Sequence, residues 1–295
     1  MNNSITQFYD AIRSSGLEPP DVIEPGKLHR FPGMGKSKGN TAGWCKLFDD
    51  GLGGCFGDWS TGLSENWQAK RDRPFSQADQ AAFTRRVEAA KAQAKEDRKA
   101  KQNSAAIRAN TIWKIATVAP NNHPYLTRKA IQTHGARLHK GVLALPVVDI
   151  DGNIASLQFI APDGGKKLLS GGRKQGCFIP VAGDIYRASK IIICEGWATG
   201  CTLAEDELFA TVLAAIDAGN LERVALAVRH HCPNIELVIA GDDDRVTRGN
   251  PGATKARTAA VAANALLALP QWPNDAPVTL TDFNDLAVWL ARGKS

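Results

Sequence analysis

The residues best placed to do chemistry are acids that end apolar runs. Lys190–Cys194 is followed by Glu195, and Glu236–Ala240 leads through Gly241 into Asp242, Asp243 and Asp244. Short apolar runs of this kind read as strands buried in a parallel sheet. Open α/β sheets hold their ligands at the carboxyl ends of such strands. Gly196 lets the backbone turn sharply after Glu195 and leaves the carboxylate at the sheet edge. In extended geometry Asp242 and Asp244 share a face, and Asp243 points the other way. Two carboxylates on one face and a third on the neighbouring strand repel one another unless a hard cation joins them. The pattern therefore implies a site for one or two Mg²⁺ ions, suited to organising a triphosphate and stabilising charge on attacking and leaving oxygens. Singly, an acid-Gly pair or an Asp triplet in a turn is commonly a solvated loop. It is the ordered pair within one α/β alternation that singles these residues out.

A third acidic cluster, Asp282-Phe283-Asn284-Asp285, precedes the helical pattern DLAVWLA, and either Asp282 or Asn284 suits its N-cap. Gly249–Gly252 turns the chain from the Asp triplet into another helix and puts backbone N–H groups beside the acids. Lys255 and Arg257 in that helix are either phosphate ligands or ordinary surface cations. Lys166, Lys167, Arg173 and Lys174 supply four cations within nine residues, beside glycine turns. They form either a basic surface hairpin or the positive half of the acidic site. GMGKS at Gly33–Ser37 lacks the first glycine of a P-loop, since Arg30 occupies that position, and no strong strand precedes it. ATPase or helicase activity in this chain is therefore rejected. His123 and His134 flank a short helix and read as structural. No Ser-His-Asp or Cys-His set is evident, and three tyrosines offer no convincing nucleophile.

Three regions position these residues. Residues 1–70 alternate aromatics with glycine turns, as a small β-rich module does. Residues 71–106 are a charged helical linker, with Ser76 as N-cap and apolar side chains too sparse for a wide buried face. Beyond about residue 107 the chain reads as α/β. GVLALPVVDIDGNIASLQFI gives two strands joined at Asp151-Gly152-Asn153, and GCFIPV gives a further short strand. From 190 the expected order is strand 190–194, helix 198–207, strand 210–215, helix 221–230, strand 235–240, helix 253–268, strand 278–281 and helix 284–291. Such alternation predicts a parallel sheet flanked by helices.

The 295 residues carry 36 Lys and Arg against 30 Asp and Glu, a formal charge of +6. That excess favours a polyanionic partner only slightly, but the acids gather at the proposed metal site and leave the remaining surface more basic. Six cysteines include no CxxC pair. Without a secretory signal or an apolar stretch near about 18 residues, the expectation is a cytoplasmic protein with no membrane partner.

The order apolar-strand-EG, then apolar-strand-GDDD, then DFND resembles the Toprim domain of topoisomerases and DnaG-type primases. EGWATG with GDDDxxxxGNPG and DFNDL looks most like the primases of phages, plasmids and other mobile elements. HPYLTRKAI and LALPVVDIDGNIASLQFIAPDGGKKLLSGG resemble the subdomain that precedes Toprim in the primase core. The resemblance covers about residues 107–292. It implies a primase-core α+β subdomain over 107–188 and a Rossmann-like Toprim domain over 189–295. It assigns Glu195, Asp242 and Asp244 to the catalytic metal centre, with Mg²⁺ or Mn²⁺, and Asp282 and Asp285 to an outer acidic group. Lys167 matches a lysine that handles nucleotide or template, with Arg173 and Lys174 as looser matches; Lys166 and Lys255 are further candidates on their charge and position alone. The implied activity is synthesis of short RNA primers from ribonucleoside triphosphates on single-stranded DNA in a bacterial or phage-infected cell, beside a separate replicative helicase. Competing readings are a Toprim nuclease and a non-catalytic nucleic-acid-binding accessory protein.

The N-terminal module departs from that family. A primase zinc ribbon brings four Cys and His ligands in two close pairs, whereas His29, Cys45 and Cys55 are scattered. No zinc is expected. Phe31, Trp44, Phe56 and Trp59 either stack on single-stranded bases or form the core of the module.

Overall fold

The computed structural model describes residues 2–70 and 76–293, with side chains from residue 4 onward. Residues 71–75 of the expected linker lie outside the described residues. The chain divides into two units, residues 1–100 and 101–295.

The first unit opens with a helix, α1 (Asn2–Ser14), that the glycine-and-aromatic reading did not anticipate. Four strands follow: β1 (Leu28–Phe31), β2 (Gly43–Leu47), β3 (Gly53–Asp58) and β4 (Leu63–Gln68), paired antiparallel in that order. Side chains alternate across the sheet, so it has two apolar faces. Phe8 and Ile12 of α1 cover one, with Phe31, Cys45, Leu47 and Phe56. The other holds Trp44, Phe48 and Cys55 against Val87, Ala90 and Ala94 of α2 (Gln77–Ile115). This corrects the expectation of a largely exposed helix: residues at i, i+3 and i+7 make a narrow stripe, and alanines let the helix approach the sheet closely. The expected N-cap is present, since Ser76 Oγ accepts from Asp79 N at 3.1 Å while the Asp79 carboxylate accepts from Ser76 N at 3.1 Å.

Phe31, Trp44 and Phe56 are at most 4% exposed, which makes them core residues and excludes base stacking by them. Trp59 stacks on Trp44 with ring centroids 6.0 Å apart and lies under the Arg30 guanidinium at 3.8 Å. Cys45 and Cys55 sit in separate clusters on opposite faces. Burial pushes their thiols up to about 12 and about 11.

The second unit contains the end of α2 and two five-stranded sheets. In the first, β5 (Thr117–Val118), β6 (Arg137–His139), β7 (Val142–Val148), β8 (Ile154–Ile160) and β9 (Lys166–Leu168) pair antiparallel in sequence order. Helix α3 (Pro124–Lys129) lies between β5 and β6. The expected turn joins β7 to β8, with Gly152 at φ +82°.

The second sheet is built from β10 (Ile179–Ala182), β11 (Lys190–Cys194), α4 (Trp197–Asp206), β12 (Thr211–Ala214), α5 (Leu221–His231), β13 (Glu236–Ala240), α6 (Pro251–Ala262), β14 (Leu266–Ala268) and α7 (Phe283–Arg292). Its strand order is β10-β12-β11-β13-β14, parallel except for β10 at the edge. Along β11, Ile191 and Ile193 join a cluster with α5 and α6, whereas Ile192 and Cys194 join one with α4. That second cluster also takes Leu143, Leu145 and Val147 of β7, so one core joins the two sheets.

Two expected elements are corrected. The helix expected over 253–268 ends at Ala262, because Asn264 adopts φ +46° and the chain turns into strand β14. Residues 278–281 form no strand; they are a loop whose Thr281 carbonyl accepts from Asp243 N at 2.6 Å. The first error arises because a short apolar run satisfies helix and strand templates alike; the second run is too short to decide between strand and loop.

Candidate active site

Glu195 and Asp242 leave adjacent strands, β11 and β13, at their carboxyl ends. Gly241 makes the second exit possible, since a Cβ there would lie 2.4 Å from Ala256 Cβ of α6. The Asp triplet then splits by role. Asp243 is held in the fold, its oxygens accepting from Asn250 Nδ2 at 2.6 Å and Trp272 Nε1 at 2.9 Å. Asp244 Oδ2 accepts from Gly252 N at 2.9 Å in the first turn of α6, and a Cβ on Gly252 would collide with it. Asn250, at φ +40°, takes Asp244 N on its own Oδ1 at 2.9 Å.

Asp282 caps α7, accepting from Asp285 N at 2.7 Å, so the cap is Asp282. Asn284 is instead 1% exposed and ties α7 to its neighbours, donating to Lys129 O at 2.8 Å and Thr202 Oγ1 at 2.9 Å. Asp285 accepts from Lys129 Nζ at 3.1 Å and Thr281 N at 3.2 Å.

Glu195, Asp242 and Asp282 line one pocket of about 90 Å³ with Lys129, Lys166 and Tyr125. Asp244 is not among its lining residues, though its charge acts on Glu195 and Asp242. Asp285 lies behind it, paired with Lys129. The Lys166 ammonium comes within 3.9 Å of where a Cβ on Gly196 would stand. Lys167 leaves the opposite face of β9 by strand alternation and is exposed. Arg173 pairs with Asp149 at 2.6 Å, Lys174 pairs with Asp217, and Lys255 is exposed on α6; none of these four lines the pocket. Lys129 and Tyr125 were missed in the sequence, because nothing local marks a short helix whose position on the pocket is decided by packing. His123 Nδ1 caps α3, and His134 Nε2 lies 2.8 Å from Glu205 Oε1, both structural roles.

The electrostatics are those of crowded acids. Burial pushes Asp242 up to about 8, reinforced by Glu195, Asp282 and Asp244 and opposed by Lys166. Glu195 is raised mainly by burial, then by Asp217 and Asp244, against the Ala218 N–H and Lys166. Asp282 is raised by burial and by Asp285, against the Asp285 N–H, Lys129 and Lys166.

These residues fit a hard divalent cation. Asp242 Oδ1 is buried with no hydrogen-bond partner, a costly state that an oxygen-seeking ion would relieve. Among the described residues no three His, Cys, Asp or Glu side chains close on one point.

With this geometry in view, residues 190–294 match the family model for the Toprim domain. They are a Toprim domain. Glu195, Asp242, Asp244, Asp282 and Asp285 all fall within that span. Upstream of the Toprim domain the likeness continues. The chain is 35% identical over 270 residues to a DNA primase TraC of Escherichia coli, covering 87% of this chain and 25% of that protein. It is 33% identical over 301 aligned positions to a second DNA primase TraC of Escherichia coli, covering 94% of this chain and 20% of that one. The chain thus spans a quarter or less of the length of these relatives. Among solved structures it is similar to the primase fragment of the bacteriophage T7 primase-helicase protein, at 14% identity and TM-score 0.42, over 88% of this chain and 94% of that one. The DnaG primase catalytic domain bound to ssDNA is similar at 11% identity and TM-score 0.41, over 66% of this chain and 80% of that one.

Proposed function

We propose that this chain is the catalytic core of a DNA primase, joining ribonucleoside triphosphates into short primers on single-stranded DNA. The observation that carries the reading is the pocket of Glu195, Asp242 and Asp282 facing Lys129 and Lys166 at the ends of the Toprim strands. The TraC relatives support it by name.

The 3′-hydroxyl oxygen of one nucleotide attacks the α-phosphorus of the next, the hydroxyl proton leaves, and pyrophosphate departs. Glu195, Asp242 and Asp244 would hold Mg²⁺ or Mn²⁺, which supplies charge stabilisation on the phosphate oxygens. Asp282 would act as an outer acid, steadied by its bond from Asp285 N. Asp285 would keep Lys129 beside the pocket. Burial raises the proton affinity of Glu195 above an ordinary carboxylate's, which suits it to assist removal of the hydroxyl proton. Lys166 and Lys129 set positive charge against the triphosphate. The pocket is small, so the remainder of the nucleotide and the template lie outside it. There Lys167 and the cations of Arg173, Lys174 and Lys255 would serve the template backbone through the field they add rather than by lining the pocket. By analogy with other primases, a separate replicative helicase would open the duplex.

Template-dependent oligoribonucleotide synthesis by the purified chain tests the reading. Product is expected with Mg²⁺ or Mn²⁺, and its absence across varied templates would overturn the activity. Product retained by Asp242→Ala or Glu195→Gln would overturn the residue roles. Cleavage of labelled DNA or RNA with metal and no nucleotides would favour a Toprim nuclease instead.

A further inference from the structure

Two residues that line the acidic pocket each bury a polar atom that the fold does not satisfy. Among the described residues, neither Asp242 Oδ1 nor the Tyr125 hydroxyl has a hydrogen-bond partner, so the two do not serve each other. Buried hydroxyls are ordinarily paired, because an unpaired one costs the desolvation of the group. Tyr125 is 2% exposed and has little freedom to seek a partner. Its ring stacks on Trp197 with centroids 6.4 Å apart, and the Arg128 guanidinium lies 5.5 Å from the ring centre. Its backbone N–H donates to His123 Nδ1 at 3.3 Å where α3 begins. The phenol is thus fixed in place but left unpaired. Burial, ahead of Cys201 and Asp282, pushes it up to about 12, so at neutral pH it carries its proton and can donate.

Other donors gather in the same pocket. Helix α4 begins there, with Gly196, Ala198 and Thr199 among the lining residues. Its N-cap is Gly196, no side chain caps the helix, and no acid occupies its first turn. The first N–H groups of a helix lack intrahelical partners and carry partial positive charge, which together favour an anion. Lys129 and Lys166 bring two full charges to the same space. The pocket therefore combines acids that a cation would complete with donors that an anionic oxygen would complete. A metal ion carrying a phosphate offers both at once: the ion to Asp242, and an oxygen to Tyr125.

We infer that the Tyr125 hydroxyl is a phosphate ligand, donating a hydrogen bond to a non-bridging oxygen of the triphosphate beside the first turn of α4. The inference rests on the reading of this pocket as a metal–triphosphate site, and it adds a neutral donor to the two lysines. A neutral donor fixes where one phosphate oxygen sits without adding charge that would compete with the ion. The hydroxyl then destabilises the ligand-free chain and is satisfied on binding.

The test compares the full chain with Tyr125→Phe, which removes one oxygen and leaves the ring in place. In calorimetry, Mg²⁺-ATP and Mg²⁺-tripolyphosphate should both bind about tenfold or more weakly, the scale of a hydrogen bond to a charged group. Mn²⁺ alone should bind as it does to the wild type. The melting temperature without ligand should be unchanged or higher, since an unpaired buried group has gone. A fall in that melting temperature overturns the inference, because the hydroxyl would then be satisfied within the fold. So does wild-type affinity for both triphosphates, at any melting temperature. Weakening of ATP alone would put the contact on the nucleoside, and equal weakening of Mn²⁺ would put it on the water held by the ion; either result overturns the phosphate contact. A wild-type chain that binds neither triphosphate overturns it outright. A wild-type chain that binds Mg²⁺-tripolyphosphate but makes no primer defeats the primase reading and leaves the binding results to decide this one.

Discussion

Each unit buries titratable groups close together, and the consequences differ. In the first, Cys45 and Cys55 occupy apolar clusters on opposite faces of a sheet. Burial raises both thiols far above neutral pH, so each remains an uncharged, weakly polar group that packs as a small hydrophobe. In the second, Glu195, Asp242 and Asp282 are also raised by burial, but each feels other acids as well. Asp242, at about 8, takes up or releases its proton in the ordinary working range. Burial alone silences a thiol. Burial among like charges leaves acids that a cation completes.

The largest expected effect that tests this contrast is Asp242→Asn. It should reduce primer synthesis to the detection limit and abolish the rise in melting temperature that Mg²⁺ produces. Retained stabilisation by Mg²⁺ would place the ion elsewhere. On the other side, Phe56→Ala removes a ring at the centre of the first sheet and should cost about 3–5 kcal/mol of stability in denaturant titration. Mn²⁺ affinity should not change, and a parallel loss would show that the two regions are energetically coupled.

Lys166→Met should lower synthesis about tenfold, the scale of one charge-assisted contact. Lys167→Met, from the opposite face of β9, should do less. Equal effects would shift the basic half of the site outward. The pH response follows from the raised acid. An aspartate whose folded pKa of about 8 exceeds the unfolded value of about 3.9 adds stability that is full below the lower value. That stability is lost as pH rises through the higher. The metal-free chain should therefore melt at lower temperature at pH 9 than at pH 6, and Mg²⁺ should stabilise it more at pH 9. Asp242→Asn should flatten that trend. The buried thiols, which ionise only in the unfolded chain above about pH 8.5, add to the fall at pH 9 and leave the slope between pH 6 and pH 8 to the acids. The smallest effect is Ser76→Ala, which removes the cap of α2 and should cost about 1 kcal/mol by thermal melting.

The acidic motifs were legible because strand, acid and turn lie within a few residues of one another. Glu195 and Asp242 needed only the rule that parallel strands end at the ligand. The alternation through α5 and β13 was legible for the same reason. Strand β14 was not, since an Ala- and Leu-rich run fits a helix until Asn264 turns it. Lys129 carried no local mark, and Asn284, one of two cap candidates, did not show its role. Its partner Lys129 lies 155 residues away along the chain. The narrow stripe of Val87, Ala90 and Ala94 was too sparse to read as a buried face, and the sheet beneath it made it one.

By itself the sequence determined the kinds of chemistry available: which strands end in acid, where glycine permits an abrupt turn, and which cations lie near in the chain. Those are local properties, set by residue type and spacing. Only the tertiary structure decided which groups share a pocket. It gave Lys166 rather than Lys167 to the acids, tied Asp243 to Trp272, and buried Asn284 against Lys129 and Thr202. The physical reason is that charge and hydrogen bonding act through space, so partners far apart in the chain become neighbours only when the sheets pack.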